Sequence, residues 1–368
     1  MNAAGEPSKA PMNLHSVGMA RQLLLVYKAR AQGTRETATF KDIGKDAVRE
    51  NAARAGARIR VLIALLWVAV SAHAQEPLAP AQRGELGVRW WVTTGETKVS
   101  HNAQGLDPTL GNPTSVLVYE NLDANTVELF GHQNFRDNLF LKGALGIGEI
   151  NRGAFDDEDF DLGQIKFSDT TSSVPQGRIG YGWLDLGYQW VLREGAVSLG
   201  VFGGFSQWTE DYDAYGATDH IGFIGGDISR DVNVISNKVR WRALRVGFYG
   251  QFVVGRARLA LDLAMVPYAE FRNEDSHHLR AQPVGSDPFA LGPVPNIIDE
   301  GKGWGVQWDA ELRYEIMRRT ELGLGWRFWY LEARKGTTDF RNVPAAETPI
   351  VDFYTWRTGL SISLRRIW

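Results

Sequence analysis

Cysteine is missing from all 368 residues, which excludes disulfide scaffolds and thiolate metal sites. Long apolar runs are missing too. The longest, Val61 to Val70, falls well short of the ~20 residues that a membrane-crossing helix needs. Methionine is scarce at 5, while Trp at 13 and Gly at 40 are plentiful, an unusual mix for a soluble enzyme of this size. The net charge of −3 conceals an asymmetry. Residues 1–74 carry 11 Lys+Arg against 5 Asp+Glu, leaving 29 against 38 for residues 75–368. That acidic remainder is not expected to bind nucleic acid.

Arg54, Arg58 and Arg60 precede the apolar run, and Ala72-His73-Ala74 places small residues before Gln75. A basic flank, a short apolar region and an A-x-A site together read as a secretory signal peptide cut after Ala74, behind an N-terminal extension. Residues 1–74 are therefore set apart from the folded unit, 75–368.

The folded unit alternates with period two. Leu184, Leu186, Tyr188 and Trp190 interleave with Asp185, Gly187 and Gln189; Val306, Trp308, Ala310, Leu312, Tyr314 and Ile316 interleave with Gln307, Asp309, Glu311, Arg313 and Glu315. Five such polar side chains cannot share the dry core of a sandwich, so the apolar face must look out into lipid. The reading is all-β: a ten-stranded antiparallel transmembrane β-barrel with long extracellular loops, in the outer membrane of a Gram-negative bacterium. Strands are expected near 86–100, 114–135, 138–152, 179–192, 196–212, 236–254, 257–272, 303–316, 321–334 and 351–368. The last carries Tyr354, Trp356, Leu360, Ile362 and Leu364 on one face and ends on Trp368, resembling the C-terminal signal read by the barrel assembly machinery.

With tight turns in the periplasm, the long connections lie outside the cell. Two of them begin with reactive groups. Asp156-Asp157-Glu158-Asp159 follows the third strand and Asn273-Glu274-Asp275-Ser276-His277 the seventh. Facing one another across the mouth, a carboxylate pair and an Asp-oriented imidazole hold a water that can attack a carbonyl without a covalent nucleophile. The run Asp157-x-Asp159-x-Asp161 also suggests calcium, but it lacks the glycine and the distal glutamate of an EF-hand loop, so no metal is expected. In the seventh strand the lipid-facing parity of Leu261, Leu263 and Met265 would turn Asp275 and His277 outward. Pro267, which has no amide donor, is the natural place for a bulge that reverses it.

At these residues the chain resembles the omptin-type outer-membrane proteases, over most of 85–368. The first omptin motif, D-x-D-aromatic, matches Asp157-Glu158-Asp159-Phe160, and the second, D-x-H, matches Asp275-Ser276-His277. The resemblance implies that His277 is the base, that Asp275 orients it, and that Asp157 and Asp159 bind the water. It places the substrate pocket at Asn273, Glu274 and Glu96 and implies a peptide or protein substrate, with a cationic one suggested by further acids at Glu210, Asp211, Asp213, Asp299 and Glu300. It also implies lipopolysaccharide held by Arg240 and Arg242 on the outer face of the sixth strand, as a partner required for activity, and no other cofactor. Two other readings stay open: an inactive barrel of the same ancestry serving as an adhesin or structural protein, and a small porin, disfavoured because Trp183, Arg327 and Trp329 would fill the lumen.

Overall fold

The computed structural model describes residues 84–135, 138–286, 290–343 and 347–368; the expected signal peptide and extension, residues 1–74, lie outside the described residues. Ten strands follow one another: β1 (Gly84–His101), β2 (Ser115–Asn134), β3 (Leu139–Asp161), β4 (Ile165–Leu192), β5 (Val197–Asp219), β6 (Ile228–Val254), β7 (Ala257–His277), β8 (Ile297–Met317), β9 (Thr320–Phe340) and β10 (Glu347–Ile367). Each pairs antiparallel with its chain neighbours, and β1 pairs with β10, closing the ring. Closure leaves no unpaired edge, as a sheet in lipid requires.

All ten expected strands are present, yet most are longer than the alternation indicated. β3 runs through Asp161 rather than stopping near 152, and β4 begins at Ile165 rather than near 179. Much of what the sequence presents as loop is therefore ladder, and the acidic clusters ride on strands. The lipid belt occupies the lower part of the wall. Leu145 and Ile147 on β3, Leu263 and Met265 on β7, and Leu360 and Ile362 on β10 are exposed on the outside. From Ile147 to Asp157, and from Met265 to Asp275, the chain rises ten residues, ~33 Å along the strand. Both acid clusters therefore stand at the upper rim, beyond the exposed apolar belt.

Inside, the barrel is filled in two tiers. The lower one is a lattice of buried ion pairs. Glu85 accepts from Arg313 (3.0 Å) and Arg365 (2.9 Å), Glu128 from Arg89 (2.8 Å) and Arg327 (2.7 Å), and Asp185 lies 3.4 Å from Lys142. On β8 the inward charges Asp309, Glu311 and Arg313 meet Arg327, Arg365 and Glu85 in this lattice, so each faces an opposite charge instead of lipid. Above them lies an aromatic plug. Trp329 packs against Trp91 and Tyr181 at centroid distances of 5.0 and 4.8 Å, and Phe271 stacks on Phe353 at 4.0 Å. The tryptophan surplus is thus partly internal packing. It closes the lumen beneath the mouth that carries the acidic clusters, against the porin reading.

Candidate functional site at the barrel mouth

The β7 wall depends on a break in register. Leu244 of β6 pairs with Tyr268 and Val246 with Met265, so Arg245 alone faces both Val266 and Pro267. On the other side Val266 pairs with Gly305 and Ala269 with Gly303, so Trp304 faces Pro267 and Tyr268. The bulge sits at the proline and reverses the parity. Below it Ala260, Ala264 and Val266 point inward; above it Ala269, Phe271, Asn273, Asp275 and His277 do. On one face of a strand, residues two apart are neighbours. His277 Nε2 accordingly lies 3.1 Å from Asp275 Oδ2.

β3 undergoes the same reversal, and nothing in the alternation announces it. Asn121 and Leu122 of β2 together oppose Gly153, and one step lower Asn151 is the extra residue on β3 between Asp123–Arg152 and Ala124–Ile150. Asn121 takes φ 51°, a left-handed conformation that asparagine tolerates better than most side chains. Beyond the paired bulges Phe155 faces inward, stacked on Tyr119 at 4.3 Å. Asp157 and Asp159 share its parity, opposite the buried Leu117 and Ser115.

The two walls act on each other electrostatically. Asp157 and Asp159 keep a view of water while being walled in by protein, and this crowding is the main cause of their raised pKa values. Asp157 is pushed up to about 7 by burial and then by the Asp159 charge, with Asp275 adding to the effect and His277 and Arg280 opposing it. The pair titrates together, so the retained proton belongs to both carboxyls. For His277, burial pulls the pKa down, but the charge and hydrogen bond of Asp275, with help from Asp157, outweigh it and the net change is upward. His101, buried on the inward face of β1, is pushed down to about 4 by burial and then by the charge of His277. Near neutral pH the mouth thus holds a neutral imidazole at His101, a second imidazole at His277 whose hold on a proton is strengthened by Asp275, and carboxyls sharing a proton.

Other expected site residues fare unevenly. Asn273 points inward and is buried, donating to Asp299 Oδ2 at 2.9 Å. Glu274 does not line the cleft. One residue out of phase, it accepts from Arg272 Nε at 3.1 Å on the outer surface. Glu96 is also misplaced by the sequence reading, because the inward parity of β1 is odd; Tyr354 on the outside donates to its carboxylate at 2.6 Å. Glu210 is no surface acid attracting peptides. It is wholly buried, bound by Arg357 and by the Trp208 indole at 2.9 Å. Asp211 and Asp213 also lie on the outward parity of β5, and Glu300 pairs with Arg272 outside. Asp299 is the inward acid that the motifs do not single out. It accepts from Asn273 and from Thr338 (2.6 Å), and burial above all lifts its pKa to about 6. Its distance in sequence from both motifs hides it; the register Asn273–Asp299 puts it beside them. Arg240 and Arg242 lie where expected, on the outward face of β6 above Leu244, with Arg242 exposed.

Among solved structures the chain is similar to the outer membrane protease OmpT from Escherichia coli. The TM-score is 0.60 at 14% identity, over 80% of this chain and 99% of that one. More distant are the outer membrane protein OprG from Pseudomonas aeruginosa, with TM-score 0.28 and 10% identity over 77% of this chain and 97% of that one, and a monoaromatic hydrocarbon channel, CymD, with 0.29 and 7% over 78% and 89%. No family model and no curated protein matches. The chain therefore has the ten-stranded barrel fold of an omptin-type outer-membrane protease, the architecture the two short motifs implied.

Proposed function

We propose that this barrel is an outer-membrane endopeptidase working at its extracellular mouth. The observation that carries the reading is the parity reversal on both walls: two independent sets of bulges turn Asp157 and Asp159 on one side, and Asp275 and His277 on the other, toward the same cleft. A water held between the carboxyl pair and His277 gives its proton to the imidazole as it attacks the scissile carbonyl. Asp275 stabilises the imidazolium, which then protonates the departing amine. No covalent intermediate is needed. The acid-rich cleft, with Asp299 beside Asn273 in place of the outward Glu96 and Glu274, suits a substrate with a cationic side chain next to the cut. Arg240 and Arg242 outside suit the phosphates of lipopolysaccharide, which would anchor the upper wall.

The test is turnover of a peptide library by refolded, purified protein with and without lipopolysaccharide. Wild type should cleave it, and His277→Ala should lower kcat by at least ~100-fold with the fold intact. Failure of the wild type to turn over any peptide favours the second reading, an inactive barrel of this fold. The outward placement of Glu96 and Glu274 is the observation on its side.

A further inference from the structure

His277 ends β7, and the ladder with β8 stops two residues short of it. The last pair is Asp275 with Ile297, so the same register would bring Pro295 opposite His277. Proline has no N–H to donate, and the Pro295 carbonyl is occupied by Arg341 Nη1 at 3.0 Å. The main chain of the proposed base would therefore lose its strand partner at the position where its direction matters most.

Asn296 fills that gap. Its Oδ1 accepts from the His277 N–H at 3.0 Å, and its Nδ2 donates to the His277 carbonyl at 3.2 Å. One side-chain amide thus reproduces both halves of a peptide group, acceptor and donor. The second Nδ2 hydrogen goes to the Gly292 carbonyl at 3.2 Å, and Asn296 has no exposed surface. On the opposite edge His277 stands in register with Ile235 of β6, while both of its own main-chain polar groups are taken by Asn296. Beyond it the chain turns into a short 3-10 segment, His278–Arg280.

We infer that Asn296 is the positioning residue of this site, a side-chain substitute for a missing β8 peptide that fixes the His277 backbone and so aims the imidazole at Asp275 and across the cleft. The inference rests on the proposed peptidase reading for its kinetic consequence, but not for its structural one. Side chains of other types do not fit the role. Aspartate lacks the donors, serine reaches at most one of the two backbone groups, and alanine leaves both buried and unpaired.

The experiment compares Asn296→Ala and Asn296→Ser with a control, Asn342→Ala. Asn342 also donates two hydrogen bonds in this loop region, to Leu291 and Pro293 at 2.9 and 3.1 Å, but touches neither wall of the site. Two quantities are read on the full chain in detergent with lipopolysaccharide: kcat and KM for a cleaved peptide, and the titration of His277 by NMR of 15N-histidine protein, its signal identified by loss in His277→Ala. Both Asn296 variants should lower kcat on the order of 100-fold at unchanged KM, the scale of a small misplacement of a reacting group. They should also move the His277 titration down, as its alignment with Asp275 is lost and burial prevails. Asn342→Ala should do neither. If Asn296→Ala does not refold, Asn296→Ser carries the comparison. An unmoved His277 titration in the Asn296 variants overturns the inference, whatever the rates. If wild type shows no turnover, the peptidase reading falls while the titration still decides the role of Asn296.

Discussion

Replacing Asp157 by asparagine should stabilise the barrel at alkaline pH while removing its activity. In the folded chain Asp157 keeps its proton up to about pH 7, because burial and the neighbouring Asp159 charge disfavour its ionised form. Unfolded, it releases that proton at an ordinary aspartate pH. A raised carboxyl pKa therefore contributes stability that is fully present below the unfolded pKa and is lost as pH rises through about 7. Each tenfold change in proton affinity is worth about 1.4 kcal/mol, so the whole rise corresponds to about 4 kcal/mol. The cleft is open to water and the proton is shared with Asp159, so about half of that, ~2 kcal/mol, is the expected gain of Asp157→Asn over wild type at pH 8 relative to pH 4. His277, with its raised pKa, also loses stability as pH rises, and His101, with its lowered pKa, gains it between about pH 4 and neutrality. His101 is common to the two proteins, and His277 owes its rise mainly to Asp275 and least to Asp157, so the difference between the curves reports chiefly the carboxyl pair. The assay is the urea midpoint for barrels in lipid vesicles, read by heat-dependent gel mobility across pH 4–8. Parallel curves for wild type and variant would refute the reasoning, because they would mean that Asp157 bears no burial penalty and does not face the cleft.

Two further predictions concern the filled lumen. Arg357→Met removes the partner of the buried Glu210 and leaves its carboxylate with the Trp208 indole alone, which should cost about 3–5 kcal/mol in urea unfolding. Adding Glu210→Gln should recover part of the loss, and an unchanged midpoint for the single variant would contradict the pairing. Trp329→Ala removes the ring that packs against Trp91, Tyr181 and Trp208, at about 3–5 kcal/mol. Neither it nor wild type should conduct ions in planar bilayers, because the ion-pair lattice below still closes the barrel.

The sequence discloses the barrel through period-two alternation that remains uniform wherever a strand has lipid on one side. It discloses the reversal on β7 because proline marks the bulge. It hides the reversal on β2 and β3, where Asn121 and Asn151 do the same work without a distinctive residue type. Strand ends above the membrane are hidden as well. Both faces of the wall there are wet or pocket-lining, so alternation fades and Asp156 to Asp161 resembles a loop although it is ladder. Glu96 and Glu274 mislead for a related reason: proximity in the chain says nothing about parity, and each is one residue out of phase with the cleft. Asp299 and Asn296 show the converse. They belong to the mouth only through the pairing of β7 with β8, which no local pattern encodes.

The most direct test of the two-walled cleft uses the absence of cysteine, since any introduced pair of thiols is unique in the chain. Asp159→Cys with His277→Cys should be joined efficiently by a short bifunctional thiol reagent across the mouth, whereas Asp159→Cys with Glu274→Cys, whose second thiol lies outside the barrel, should not. Equal joining of the two pairs, or joining of neither, would contradict an arrangement in which carboxylates and imidazole look at each other over a held water.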